Sequence, residues 1–166
     1  MDLRRLRVGE YVTAAFGVLL VLSLFGPWYE GEGGELTAWE AFTVVDVMLA
    51  LVGLLGVGLL FLTAVQRTAA VGIAADSLLF LVAGPIALVA LLRFLNLPGS
   101  ADEINAGRAL FSFVGTLAAF GVGGGALLSM RDERLSKPGR PTDATGRPVH
   151  APPEIETLPA PPRGAA

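Results

Sequence analysis

The sequence predicts an all-α membrane protein, a four-transmembrane-helix bundle followed by a disordered Pro-rich C-terminal tail. Three observations predict it. Four long apolar stretches fill most of the first 130 positions of the 166-residue chain. Charged residues are only 16% of the chain, against about 25% in ordinary soluble domains. The apolar stretches are continuous and rich in Leu and Ala. They lack the alternation, about ten residues at a time, that marks barrel strands. Helices satisfy their own backbone hydrogen bonds in lipid, which offers no partners.

A spanning helix needs about 20 apolar residues. Residues 11–28, 42–65, 69–95 and 109–130 meet that requirement. Residues 1–130 therefore read as the transmembrane domain and 131–166 as the tail. The first stretch follows Arg4, Arg5 and Arg7, a basic start shared with signal peptides. Its apolar core runs on into Phe25-Gly26-Pro27-Trp28-Tyr29 without a small-x-small cleavage site, so it reads as a retained helix. Glu10, at the mouth of this helix, reads as an interfacial charge without a function.

Residues 30–40 form the first loop, with four glutamates and no basic residue. Gly31, Gly33 and Gly34 predict a flexible backbone there. Trp28, Tyr29 and Trp39 flank the loop and read as interface aromatics, because amphipathic rings favour the headgroup level. The other reading is an aromatic and acidic platform for a partner. Arginines assign the sides. Arg4, Arg5, Arg7, Arg67, Arg131, Arg134, Lys137 and Arg140 fall on one side of a four-span chain, with Arg93 and Arg108 towards the other. Both termini are thus expected in the cytoplasm.

Ionisable residues inside a span cost at least about 2.5–3.5 kcal/mol at mid-helix, so each is a candidate site. Asp76 is the deepest, about 10 Å past the start of its span. It reads either as a protonatable or cation-binding carboxylate, or as a hydrogen-bond partner of Thr63 or Ser129. Asp46 and Arg93 sit at like depth on the opposite side, which predicts an ion pair between the second and third spans. Gly84-Pro85 predicts a kink in the third span, since proline removes a donor and clashes one turn back. Gly121 and Gly125 have the GxxxG spacing that lets backbones approach closely. They suit packing inside the bundle or a dimer face.

The tail holds eight of the eleven prolines and repeats Gly139-Arg140-Pro141 as Gly146-Arg147-Pro148. It buries too little to offset its ordering entropy and reads as disordered. Its basic start suits anionic headgroups, and its Pro-rich end suits a partner groove. The net charge of −3 argues against nucleic acid. The chain has no cysteine, and its one histidine, His150, lies in the tail. Thiolate sites, His-based zinc and Ser-His-Asp catalysis lack their residues. No cofactor or metal site is predicted, and the chain reads as no enzyme.

Several short segments carry a resemblance: Val8-Gly9-Glu10, Ser23-Leu24-Phe25-Gly26-Pro27-Trp28-Tyr29, Trp39-Glu40-Ala41-Phe42 with Asp46 after it, and Thr63-Ala64-Val65-Gln66-Arg67-Thr68. Through them the chain resembles uncharacterised small four-helix integral membrane proteins of actinobacteria. The resemblance implies a bacterial plasma membrane and brings no activity, substrate or catalytic residue. The first loop is also similar to the Trp-bearing loop of claudin-like tetraspans but lacks their cysteine pair. The expected partners are the lipid bilayer and either another membrane protein or a second copy of the chain. The expected role is a non-enzymatic accessory or scaffold subunit. The alternative is a small transporter or channel subunit using Asp76.

Overall fold

The computed structural model describes residues 6–65 and 69–131. Helix α1 (Val8–Ser23) starts where the Arg7 N–H donates to Glu10 Oε2 at 3.1 Å. A carboxylate in the first turn satisfies one of the amides that a helix start leaves open. The helix ends at Ser23 rather than running on to residue 28. Pro27 biases the residue before it away from helical angles. The Trp28 Nε1–H donates to Ser23 O at 2.8 Å and closes the terminus.

The loop that its glycines marked as flexible is a hairpin. Strand β1 (Pro27–Gly31) pairs antiparallel with β2 (Gly34–Thr37). Gly34 takes a φ of +124°, which a side chain would resist. Gly31 and Gly33 pack on Ile104 and Ala106, where a Cβ would collide. A one-turn helix, α2 (Ala38–Ala41), follows. Both the Thr37 N–H and its hydroxyl donate to Glu40 Oε2, at 2.8 and 2.9 Å.

Helix α3 (Val45–Val65) and helix α4 (Ala69–Leu95) come next, and α4 is continuous through Pro85. A short helix, α5 (Gly99–Glu103), and strand β3 (Gly107–Arg108) lead to helix α6 (Leu110–Arg131). β3 joins the hairpin, giving the sheet order β2-β1-β3. Among the described residues three helices are long and apolar enough to cross a membrane, and α1 is a shorter apolar helix. These helices point to membrane association.

α1 packs between α3 and α6, and α4 packs on the same two helices. Close approach is built from small residues. A methyl at Gly17 would lie 2.6 Å from Gly53 O, and one at Gly53 would lie 2.9 Å from Gly17 O. Gly121 faces the Phe16 ring, Gly125 faces Thr13, and Gly115 faces Trp28 and Ser23. α1 therefore runs antiparallel along nearly the whole of α6. Both glycines of the GxxxG pair point at α1.

Trp28 and Tyr29 are fully buried, not a surface belt. The sheet folds over the end of the helices and drives both rings into the core. Each meets Phe42 edge-on, with centroids 5.4 and 6.1 Å away. The Tyr29 hydroxyl donates to Arg93 O at 3.0 Å. Trp39 stays exposed and tilts against Phe25 at 5.8 Å. Large side chains on the outward faces of α3, α4 and α6, including Leu51, Leu54, Leu81, Leu88 and Phe113, are exposed. That is the pattern of a surface whose solvent is lipid. Arg4, Arg5, Arg67, Arg134, Lys137, Arg140, His150 and the tail from residue 132 lie outside the described residues.

Candidate functional site

At the end of the helices opposite the sheet, each of the four packed helices brings a polar side chain inward. α1 supplies Glu10, with Thr13 one turn further along; α3 supplies Thr63, α4 supplies Asp76 and α6 supplies Ser129. Glu10, Thr13, Asp76 and Ser129 are all at most 1% exposed.

Contacts place these groups at neighbouring levels. Arg7 Nη1 donates to Ser129 O at 2.9 Å. Gly9 abuts the Ser129 backbone and hydroxyl, and Gly125, one turn before Ser129, abuts the Thr13 hydroxyl. The Thr63 side chain faces the Glu10 carboxylate. Asp76 interacts electrostatically with Glu10 and with Arg7. Next to Asp76, the Ser77 hydroxyl lies 3.2 Å from Met130 Sδ, which fixes α4 beside the last turns of α6.

The hydrogen-bonding of this cluster is incomplete. Thr63 Oγ1 donates to Leu59 O at 2.8 Å. Among the described residues, Asp76 Oδ1 and Oδ2, Thr13 Oγ1 and Ser129 Oγ have no hydrogen-bond partner. The expected bond from Asp76 to Thr63 or Ser129 is therefore not made. Thr63 spends its proton within its own helix. An unpaired buried polar group is costly, and a charged one far more so. Most buried polar groups in folded proteins are paired, so four orphan oxygens in one region stand out.

Glu10 is the residue that the sequence reading left without a role. Its position near a helix start made it look interfacial. The only sequence signal for it was a carboxylate three residues after Arg7, which is the capping spacing. Capping explains one of its oxygens, and burial between α1 and α3 brings the group towards Asp76.

The other candidates lie elsewhere. Asp46 is buried in the first turn of α3, where a carboxylate complements the helix dipole, and its Oδ1 is unpaired. Arg93 is exposed in the last turn of α4. Among the described residues no ion pair or hydrogen bond joins Asp46 to Arg93. The expected pairing fails because Asp46 turns into the protein and Arg93 turns out of it. Arg108, which served only as a topology marker in the sequence, caps α4 instead. Its Nε donates to Phe94 O and its Nη2 donates to Leu95 O at 2.6 Å.

Gly84 and Pro85 line an apolar groove of about 430 Å³ between α4 and α6, with Phe80, Phe120, Gly123 and Gly124 around it. It presents almost no polar atoms. Among the described residues no group of three or more His, Cys, Asp or Glu side chains comes together.

The chain matches no family model, no curated protein and no solved structure.

Proposed function

We propose that this chain is a small multi-pass protein of a bacterial plasma membrane, without enzymatic activity. Its four apolar helices form a transmembrane bundle with both termini in the cytoplasm. It works as a transporter or channel subunit through Asp76, a protonatable or cation-binding carboxylate. The observation that carries the functional part is Asp76 itself, fully buried with both oxygens unpaired among the described residues. Ionisable groups of this kind inside membrane proteins mark ion and proton paths. Among the described residues, the charged groups that act on it are Glu10 of α1 and Arg7 just before that helix. Support for four spans comes from α1. At 16 residues it is about 24 Å long, yet it lies along α6 from Gly9–Ser129 to Ser23–Gly115. A short helix is accommodated by local thinning or by its flanks.

The test is flux through the purified full-length protein in liposomes, read by a pH-sensitive dye and by tracer sodium. Wild type carries proton or cation flux. Asp76→Asn loses it while circular dichroism shows the same helix content. Equal flux in wild type and variant would overturn the assignment to Asp76. No flux from wild type would favour the second reading, an accessory or scaffold subunit that binds an apolar helix of another membrane protein. The groove beside Gly84, Gly123 and Gly124 favours that reading, because methyls at Gly84 and Gly124 would meet nothing within 4 Å.

A further inference from the structure

We infer that the α4–α6 seam holds one anionic phospholipid, with its phosphate on Arg108 and an acyl chain in the groove beside Gly84 and Gly124. The inference needs these helices to lie in a membrane and does not involve Asp76.

The groove and the arginine share one stripe of the two helices. Phe80, Ala87 and Phe94 recur at heptad spacing on α4, and Phe113 and Phe120 do so on α6. A heptad is close to two helical turns, so each set keeps to one face. The helices run antiparallel in matching register. The Phe94 and Phe113 rings lie 6.3 Å apart, and a methyl at Gly123 would lie 3.8 Å from Ala83 Cβ. Phe80, Ala87 and Phe120 line the groove. The Phe94–Phe113 pair therefore stands at its end nearer the sheet. Over the Phe94 ring lies the Arg108 guanidinium, 5.5 Å from the centroid.

Depth suits an acyl chain. Arg108 donates to Phe94 O and Leu95 O. Leu88 and Gly84 lie about 10 and 16 Å from Leu95 along the helix. One leaflet is half of a hydrocarbon core roughly 30 Å thick. A chain whose headgroup sits beside Arg108 thus reaches the groove with its last part. Methyls at Gly84 and Gly124 would meet nothing within 4 Å, so there is room for it. Lipid tails are as apolar as the groove. Seating one there gains packing only, and the choice between lipids falls to the headgroup.

Charge complementarity selects an anion. Arg108 is exposed, and among the described residues its guanidinium meets two backbone carbonyls and one ring. Three of its five N–H groups remain for a phosphate, which guanidinium binds in a fork. Arg93 lies at the same end, and both arginines act on the Tyr29 hydroxyl. Glu30 turns the other way. Tyr29 pairs with Arg108 and Glu30 with Gly107, and successive strand residues point to opposite faces. Tyr29 is accordingly buried and Glu30 exposed. An apolar helix would cover the groove and leave the arginine unused, whereas a phospholipid uses both.

The experiment is native mass spectrometry of the purified full-length protein in mild detergent. It is titrated with phosphatidylglycerol and, separately, with phosphatidylcholine of the same acyl chains. Wild type should keep one phosphatidylglycerol, bound about five- to tenfold more tightly than phosphatidylcholine, the worth of one arginine at the headgroup level. Arg108→Gln keeps N–H donors for the α4 carbonyls and should remove that preference. Gly84→Leu and Gly124→Leu fill the groove and should each weaken retention of both lipids, with the preference kept. The glycine variants leave the Arg108 cap untouched, so they decide the matter if Arg108→Gln does not fold.

Equal retention of the two lipids by wild type would overturn the inference. So would an unchanged preference in Arg108→Gln, or unchanged retention in both glycine variants. Inorganic phosphate bound in place of lipid would overturn it too, leaving an anion site without a groove. A protein dimer that disappears in Gly124→Leu would give the groove to a second copy and overturn the lipid. The flux assay reads Asp76 and this titration does not, so the two proposals fail separately.

Discussion

Tyr29 illustrates how much a residue's chemistry depends on where the chain carries it. A tyrosine after an apolar stretch reads as an interfacial ring with its hydroxyl in water. Here burial pushes the phenol pKa up to about 12, against the pull of Arg108 and Arg93. The phenolate would lose its hydration, and the hydroxyl donates to Arg93 O. Because the folded pKa is raised, the neutral form's contribution to stability is present below the ordinary value of 10.0 and is lost as pH rises towards about 12. Tyr11 is the other tyrosine of the chain. In a Tyr11→Phe background, phenolate absorbance should therefore rise only near pH 12. A transition near pH 10 would show that Tyr29 is solvated. At the same scale, Asp76 was legible because an acid inside an apolar run needs no neighbour to be conspicuous. Ser129 was legible only as a hydrogen-bond partner for it, and Thr13 and Glu10 were not, because hydroxyls and end-of-helix acids are ordinary in membrane helices.

At the scale of elements, the apolar stretches from 69 and 109 matched helices α4 and α6 to within a residue or so, since apolar runs bounded by polar residues fix a helix whatever it packs on. The first span did not, because its end is set by Pro27 and by the Trp28 indole reaching back to Ser23 O. Glycines divide into two classes that composition cannot separate. Gly17 sits where a methyl would press on Gly53 O, and Gly84 sits where a methyl meets nothing within 4 Å. Overpacking a tight seam costs about 1–3 kcal/mol. Glycine inside a helix costs about 0.5–1 kcal/mol relative to alanine. Gly17→Ala should destabilise by the first amount, and Gly84→Ala should be neutral or stabilising by up to the second. Unfolding of each variant in detergent, compared with wild type, measures the difference. Equal stability of the two would show that the α1–α3 seam is looser than drawn.

For the whole molecule, α3, α4 and α6 follow the hairpin, and if each crosses the membrane the hairpin and the tail lie on opposite sides. The chain has no cysteine, so single cysteines can report this without background. Glu32→Cys, in the hairpin turn, should react with an impermeant maleimide on intact cells. Ser136→Cys should react only after permeabilisation. Labelling of both from the same side would require an even number of spans between them, so that one of α3, α4 and α6 does not cross. The sheet over one end and the polar cluster at the other give the molecule a polarity that no single helix carries. The sheet end is closed by aromatic rings, and the cluster end is where charge enters the helix interior.

The sequence by itself determined the helices and their apolar character, because backbone groups in lipid have one local solution and twenty apolar residues announce it. It also marked Asp76, since a buried charge is expensive wherever it sits. Only the tertiary structure decided that Trp28 and Tyr29 are core, that Asp46 and Arg93 part company, and that Glu10, Thr13, Asp76 and Ser129 are buried at one end of the helices. Those outcomes depend on how each helix is rotated about its axis and which neighbour it faces. Rotation is set by glycine-to-backbone contacts such as Gly17 with Gly53 and Gly125 with Thr13. Helices that are apolar all round carry no polar face to announce that rotation in advance.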